Sequence, residues 1–415
     1  MTEIEKLAYK AKEASRELSV LSAEIKNRAL HEMADALITN KEEIKIINKI
    51  DLDKAKKNAI TGAMFKRLEL TDIKIEQMAD GVRQIAQLAD PIGETIYGYL
   101  RPNGLDVKKV TIPLGVIGIV YESRPNVTAD VAALCLKSGN AVVLRGGSEA
   151  INSNMKIAEI INKAFCASGI PENTVNIVKT TDREAVMELL KQKAYIDCII
   201  PRGRKTLIKT CIENSTIPVI EHGDGNCHVY IDKDADMNIA YDIVMNAKIQ
   251  NPSVCNACET LLVHKDVAFE FIPKISTMLK ESNCEIRGCT KTLALTNNAI
   301  PAQESDWETE YNDLILAIKI VDDLEEAISH IKEYGNTHSE AIISNSFTAI
   351  ERFKSAIDSS AVFINCSTRF NDGYELGMGA EMGISTQKLH ARGPMGLKEM
   401  TTYKYIVSGN GQCRK

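Results

Sequence analysis

The amino-acid sequence predicts an α/β protein built from two doubly wound α/β domains, with a small hairpin and tail set apart from them. Three observations carry this. From about residue 115, short apolar runs alternate with helical stretches. The alternation starts again after about residue 250, whereas the first ninety or so residues show helical spacing alone. Runs that are apolar throughout, with no polar face, belong to parallel strands covered on both sides.

The elements follow in order. Leu7, Ala11, Ala14, Leu18, Leu21, Ile25, Ala29, Met33 and Leu37 recur at steps of three and four, the spacing of one buried helix face. More helix is expected to about residue 90. The stretch IYGYLRPNGLDVKKVTIPL (96–114) sets two alternating runs around Asn103-Gly104. It predicts a hairpin closed by a type I′ turn, since both residues accept positive φ. Strands are expected at GVIGIVY (115–121), AVVLR (141–145), TVNIV (174–178), IDCII (196–200), IPVI (217–220) and CHVYI (227–231). A second series is expected at ETLLV (259–263), TLAL (292–295), LILAIKIV (314–321), EAIIS (340–344) and AVFIN (361–365). Residues 127–139 and 151–169 read as helices closed by glycine.

At 415 residues the chain exceeds one ordinary core. A net charge of −6 argues against nucleic acid as a partner, because phosphate binding wants a basic surface. No apolar run reaches the roughly 20 residues that span a bilayer, and MTEIEKLAYKAKEASREL lacks the apolar core of a signal peptide. No membrane role and a cytoplasmic location are expected. Eleven scattered cysteines do not make a disulfide framework. Cys135, Cys166, Cys198 and Cys211 lie in apolar runs and are expected to be buried.

The segment NPSVCNACETLLVH (251–264) holds the one CxxC pair. Asn251-Pro252-Ser253 is a helix-start signal, which would put Cys255 in a first turn whose N–H groups and dipole favour thiolate. A structural zinc would need further ligand pairs, and no second CxxC or HxxxH occurs, so no metal is expected. A thioredoxin-type couple would precede a long helix, whereas here a strand is expected within a few residues. A single nucleophile and a pair of buried bystanders both fit the spacing.

Two strand ends carry unusual turns, Arg145-Gly146-Gly147-Ser148-Glu149 and Pro201-Arg202-Gly203-Arg204-Lys205. Glycines allow close backbone approach, Ser148 can cap the next helix, and cations attract phosphate at the carboxyl ends of parallel strands. The two turns could together hold a dinucleotide's phosphates, although neither is GxGxxG. Plain basic turns are the alternative. The glycine-rich stretch 365–397 reads as ligand-lining loops or one long surface loop, with Arg369 and Arg392 as anion-binding candidates. His222 and His228 read equally as structural or catalytic.

Three segments carry a resemblance that runs over nearly the whole chain: PSVCNACETLLV, YESRPNVTADVAALCLKSGNAVVLRGGSEA (121–150) and GAEMGISTQKLHARGPMGLKEMTTYKYIV (379–407). They resemble the gamma-glutamyl phosphate reductases of the aldehyde dehydrogenase superfamily. The resemblance implies an aldehyde dehydrogenase-like α/β fold. Its dinucleotide-binding domain would cover 1–95 and 113–225, and its catalytic domain 226–360. A return segment at 361–397 would line the active site, and oligomerisation elements would lie at 96–112 and 398–415. The implied activity is NADPH-dependent reduction of L-glutamyl 5-phosphate to L-glutamate 5-semialdehyde and phosphate through a cysteine thioester, the second step of proline biosynthesis. Cys255 matches the nucleophile and Asn126 the oxyanion-binding asparagine. Arg145, Gly146, Ser148, Pro201, Arg202 and Gly203 fall where NADP(H) is held. Arg124, Arg369 and Arg392 are the substrate-binding candidates. A homo-oligomer, and handover of substrate from a glutamate 5-kinase, are the implied associations.

Two positions depart from the pattern. Arg204 stands where the family usually carries a second glycine, which bears on NADP against NAD. Glu221 aligns with the base of hydrolytic aldehyde dehydrogenases, so oxidation of an aldehyde to a free acid is the alternative activity. A non-catalytic descendant kept for binding is the alternative outside enzymes.

Overall fold

A computed structural model of the chain describes residues 1–414. Five helices come first: α1 (Glu3–Leu18), α2 (Ala23–Thr39), α3 (Lys41–Lys57), α4 (Gly62–Leu68) and α5 (Asp72–Gln87). Side-chain oxygens of Thr2, Ser22 and Thr71 cap α1, α2 and α5 by accepting backbone N–H bonds that the helices leave unmade. Of the face read from the sequence, Ala11, Ala14, Leu18, Ala29, Met33 and Leu37 are buried, whereas Leu7, Leu21 and Ile25 are half-buried; α1 also buries Ile4 and Ala8.

Strands β1 (Thr95–Leu100) and β2 (Asp106–Pro113) form the expected antiparallel hairpin. Its turn is not type I′. Gly104 has φ +84°, but Asn103 is not left-handed, and a five-residue loop is closed by Gly104 N–H to Arg101 O at 2.9 Å. Pro102 explains this, because its ring holds φ near −65° and suits an ordinary turn.

The chain divides into two compact units. Unit 1 comprises 1–222, 377–383 and the residues from 395 on, and unit 2 comprises 223–376 and 384–394. Unit 1 continues through β3 (Val116–Tyr121), α6 (Val127–Lys137), β4 (Ala141–Gly146), α7 (Ile151–Ala167), β5 (Val175–Ile177), α8 (Arg183–Leu189), β6 (Cys198–Arg202) and α9 (Lys205–Asn214). The four strands make a parallel sheet in the order β5-β4-β3-β6. Every residue of β3 and β4 is buried, as strands covered on both faces must be. Past α6 and α7 the chain turns at Gly139 and Gly169, with φ of +74° and +81°. The expected strand at 217–220 is only a bridge, Ile199 to Val219. Pro218 has no N–H to extend it.

Unit 2 runs β7 (Cys227–Ile231), α10 (Met237–Ile249), β8 (Cys258–His264), α11 (Lys265–Glu281), β9 (Glu285–Gly288), α12 (Thr290–Leu293), β10 (Ala299–Pro301), β11 (Ile315–Val321), α13 (Leu324–Tyr334), β12 (Ser339–Ile343), α14 (Phe347–Ala356) and β13 (Ala361–Ile364). Seven strands pair in the order β10-β9-β11-β8-β7-β12-β13, all parallel. Val229, Ile231, Leu261, Val263 and Ile318 pack into one cluster, and the alternate residues Tyr230, Leu262 and Ile342 into another. Both faces are therefore apolar, the doubly covered arrangement that the sequence predicts.

Two local readings fail. TLAL is not a strand; its first two residues belong to the short helix α12, where the Thr292 hydroxyl donates to Ile318 O at 3.1 Å. The polar segment EIRG, read as nothing, is β9 near the sheet edge, and β10 is the edge itself. Cys135, Cys198 and Cys211 are buried as expected, but Cys166, in the last turn of α7, is exposed. The tail adds β14 (Ile384–Ser385) and β15 (Gly393–Pro394) to unit 2, and β16 (Thr401–Ser408) to unit 1. Strand β16 pairs with β2 to complete a small sheet ordered β1-β2-β16. Among the described residues, no helix is long and apolar enough to cross a membrane.

Candidate active site

Helix α10 stops at Ile249, and residues 251–257 form turns that lead into β8. No helix begins at Asn251, so the helix-dipole argument for Cys255 is corrected. Asn251 accepts bonds from Ser253 N–H at 3.4 Å and Ser253 Oγ at 3.1 Å, and Ala257 N–H reaches Val254 O at 3.0 Å. Residues that cap helices also open turns of this kind, and too few residues separate Ser253 from the strand for a helix to form. Cys255 is half-buried on this turn, whereas Cys258 is buried as the first residue of β8. Burial pushes the Cys258 thiol far above its ordinary value, which keeps it protonated.

The turn is held by its neighbours in unit 2. Asn256 Nδ2 donates to Asn371 O at 3.0 Å and Arg369 O at 3.3 Å. Asn256 Oδ1 accepts from Arg369 Nη1, and Asn256 O accepts from Thr368 Oγ1 at 2.7 Å. Gly225 passes beneath: a Cβ there would lie 1.6 Å from Cys255 O, so only glycine fits. Cys227 Sγ lies 3.1 Å from the same oxygen.

Arg369 also donates from Nε to Gln250 Oε1 at 2.8 Å. Desolvation pushes its guanidinium pKa down, and Asp372, Cys255 and Cys227 oppose that. Arg392 is occupied elsewhere, donating to Asp358 Oδ1 and Asp358 O at 2.8 Å each.

Below the turn, a row of polar groups crosses the sheet. His228 pairs in register with Thr260 and Glu340. Its N–H and Nδ1 lie 2.9 and 3.0 Å from Glu340 Oε2, both side chains fully buried. Lys248 and Glu259 form a second fully buried pair. Burial pushes Glu259 up to about 8, against the pull of Lys248. Among the described residues, no cluster of three or more His, Cys, Asp or Glu side chains could hold a metal ion.

In unit 1 the candidates gather where strands end. Asn126 opens α6, and its Nδ2 donates to Asp130 Oδ2 at 2.9 Å. Desolvation pushes Asp130 up to about 6, opposed by Asn126 and Arg202. Arg124, just ahead of Asn126, is half-buried. Arg145 is buried and commits its guanidinium to backbone carbonyls of Gly146, Thr181 and Asp182. Ser148 is exposed and caps nothing; the N-cap of α7 is Ala150, without a side-chain bond. Glu149 instead takes the N–H and Oγ of Ser123, both at 2.6 Å. After β6, Arg204 N–H donates to Glu122 Oε2 at 3.0 Å, while the Arg204 and Lys205 side chains are exposed. A Cβ on Gly203 would lie 2.7 Å from Leu207 and 2.8 Å from Glu122. Unit 1 thus holds Arg124, Asn126, Arg145, Gly146, Ser148, Pro201, Arg202 and Gly203, and unit 2 holds Cys255, Arg369 and Arg392.

Residues 1–286 match the model of the aldehyde dehydrogenase family. The chain belongs to the aldehyde dehydrogenase family. Members of this family use nicotinamide cofactors. A curated relative from Carboxydothermus hydrogenoformans, named gamma-glutamyl phosphate reductase, is 54% identical with 100% of both chains covered. The crystal structure of gamma-glutamyl phosphate reductase from Thermotoga maritima is 44% identical, covers 100% of both chains and superposes with a TM-score of 0.98. An engineered glycolyl-CoA reductase with bound NADP+ shares the fold, at 16% identity, TM-score 0.67 and coverage of 98% and 96%. Four residues beside the candidates are not read from the sequence: Asp130 in unit 1, and Gly225, Asn256 and Thr368 in unit 2. Gly225 alone had a signal, its place in the glycine-rich turn after Glu221.

Proposed function

We propose that this aldehyde dehydrogenase family member reduces L-glutamyl 5-phosphate to L-glutamate 5-semialdehyde with release of phosphate, in the proline branch of cytoplasmic amino-acid synthesis. The observation that carries the reading is the 54% identity, end to end, to a protein named for that activity. In this reading the Cys255 thiolate attacks the acyl carbon. The oxyanion is assigned to Cys255 N–H and the Asn126 amide, each such donor being worth about 3 kcal/mol in the transition state. Asp130 takes one N–H of that amide and leaves the other for the oxyanion. Phosphate departs with the C–O bond electrons and a thioester forms on Cys255. A reduced nicotinamide, when bound, supplies hydride to the thioester carbon. The bond from that carbon to Cys255 Sγ then breaks, which frees the aldehyde and returns Cys255 as thiolate.

One feature of unit 1 supports such a cofactor: α9 starts without a side-chain cap beside two exposed cations, which suits a phosphate. Arg202, Arg204 and Lys205 favour the 2′-phosphate of NADP(H) over NAD(H). Arg145, Gly146, Ser148, Pro201, Arg202 and Gly203 are proposed as the cofactor-binding set, with residues 1–95 and 113–225 as its domain. The exposed Tyr97, Tyr99, Tyr403 and Tyr405 on the β1-β2-β16 sheet support an oligomer interface there. A glutamate 5-kinase that hands over its unstable acyl phosphate is the proposed partner.

The test is reduction of NADP by glutamate 5-semialdehyde with and without inorganic phosphate. Reduction that requires phosphate or arsenate supports the reading. Equal rates in phosphate-free buffer, with glutamate as product, would replace it by hydrolytic oxidation with Glu221 as base.

A further inference from the structure

We infer that Arg369 is a positioning residue that keeps Cys255 as a thiolate and fixes its turn, rather than an anchor for substrate. The inference rests on the reading of Cys255 as nucleophile and adds the source of its reactivity. With no helix N-terminus at Cys255, the turn needs a positive charge from elsewhere. The guanidinium of Arg369 is half-buried on the segment that binds every polar side-chain atom of Asn256, the residue next to Cys255.

The fork of Arg369 is already used. One arm holds Asn256 Oδ1 and another holds Gln250 Oε1 at the C-cap of α10. A cation is favourable at that end of a helix. The bond to Asn256 puts the guanidinium one residue from Cys255, and Cys255 and Cys227 oppose the fall in its own pKa. Its other charged neighbours, Asp372 and Glu375, stabilise the cation itself. Around the turn stand Cys227, with Glu340 and Cys258 behind it, and His338 at 3.5 Å from Cys227 Sγ. His338 is pushed down to about 4 by burial, so it is neutral near pH 7. Lys248 and Glu259, paired and buried, act on Cys258 at the start of β8. Arg369, bonded to the residue next to Cys255, is the cation assigned to Cys255, whose thiol gives its proton to solvent while the arginine keeps its own.

The experiment is the pH–rate profile of Cys255 alkylation by iodoacetamide, a neutral reagent, in the intact protein, with the site identified by mass spectrometry. Arg369→Gln keeps an N–H donor for Asn256 but removes the charge; Arg369→Lys keeps the charge but loses the fork. The glutamine variant should move the profile up by about one pH unit or more, and so slow alkylation roughly tenfold at pH 7. The lysine variant should recover most of that shift. Equal profiles in both variants and the parent, with a raised KM for the acyl phosphate, would make Arg369 a substrate anchor and overturn the inference. Equal shifts in both variants would assign it a purely structural role and overturn it too. Full turnover in Cys255→Ser would instead refute the nucleophile reading, an outcome separate from either.

Discussion

In unit 1 the candidate residues lie at or just past the carboxyl ends of strands: Arg124 and Asn126 come after β3, Arg145 and Gly146 end β4 with Ser148 beyond, and Pro201 and Arg202 end β6 with Gly203 beyond. In unit 2 Cys255 precedes β8 and Gly225 precedes β7. The turns also differ in how they are held. Those of unit 1 use carboxylates, Glu122 and Glu149, to tie backbone N–H groups of neighbouring turns. The Cys255 turn is clasped by residues 368–371, more than a hundred positions away, through the backbone carbonyls of Arg369 and Asn371 and the side chains of Thr368 and Arg369, over a row of buried polar groups. Local glycine and cation chemistry can specify the first arrangement. The second exists only once the tertiary fold is made.

The largest effect should separate the two cysteines of unit 2. Cys255→Ser should lower turnover by about 10³-fold or more, since a serine alkoxide is inaccessible near neutral pH. Cys258→Ser should keep at least about a third of the activity and cost about 1 kcal/mol, the price of a hydroxyl in an apolar site. Steady-state rates and urea melts decide it; matched activity losses would mean that the pair works together.

The buried row is tested next. Lys248→Met leaves Glu259 buried without its partner and should cost about 3–5 kcal/mol, with much of that recovered in Lys248→Met/Glu259→Leu. Additive losses in the double variant would show that the two side chains act independently.

Unit 1 gives a smaller effect with a defined pH sense. Asp130 has a folded pKa of about 6, above the unfolded value near 4. The folded chain therefore holds a proton that the unfolded chain has released, and Asp130 weakens the fold as pH rises from about 4 to about 6. Asp130→Asn should stabilise the chain by about 1 kcal/mol at pH 8. It should also slow turnover roughly five- to tenfold, because a charge-assisted bond to Asn126 becomes a neutral one. The parent should lose activity below pH 6, and the variant should lose that limb. A variant with unchanged kcat at pH 8 would remove Asp130 from the argument.

The smallest effect lies in the hairpin. Gly104→Ala places a side chain at φ +84°, with its Cβ 2.8 Å from Gln412, and should cost about 1 kcal/mol without touching kcat.

The sheets were legible because buried parallel strands are apolar on both faces, and β3, β4, β7, β8, β11 and β12 carry that pattern directly. A short strand next to the edge, such as β9, need not carry that composition, so EIRG gave no sign. TLAL misled because a short apolar run has no period of its own. Among the site residues, Cys255 was visible through its neighbours, yet the reason offered for its reactivity was wrong. Asn, Pro and Ser open helices and tight turns by the same bonds, and only the distance to β8 separates the two outcomes. Arg369 was visible as a cation, but its attachment to Asn256 and Gln250 is tertiary and leaves no mark on local sequence.

The small sheet β1-β2-β16 also sets an order of events during synthesis. Strand β2 is complete once Pro113 has been made, but its partner β16 ends at Ser408. At ordinary translation rates the interval is roughly 15 to 60 seconds. Throughout it, one side of β2 is an open strand edge, able to pair with a neighbouring nascent chain. Lys108 and Lys109 stand on that strand, and like charges on two such edges would repel. A ribosome that stalls anywhere within unit 2 therefore releases a chain whose sheet is unfinished, however well the rest has folded.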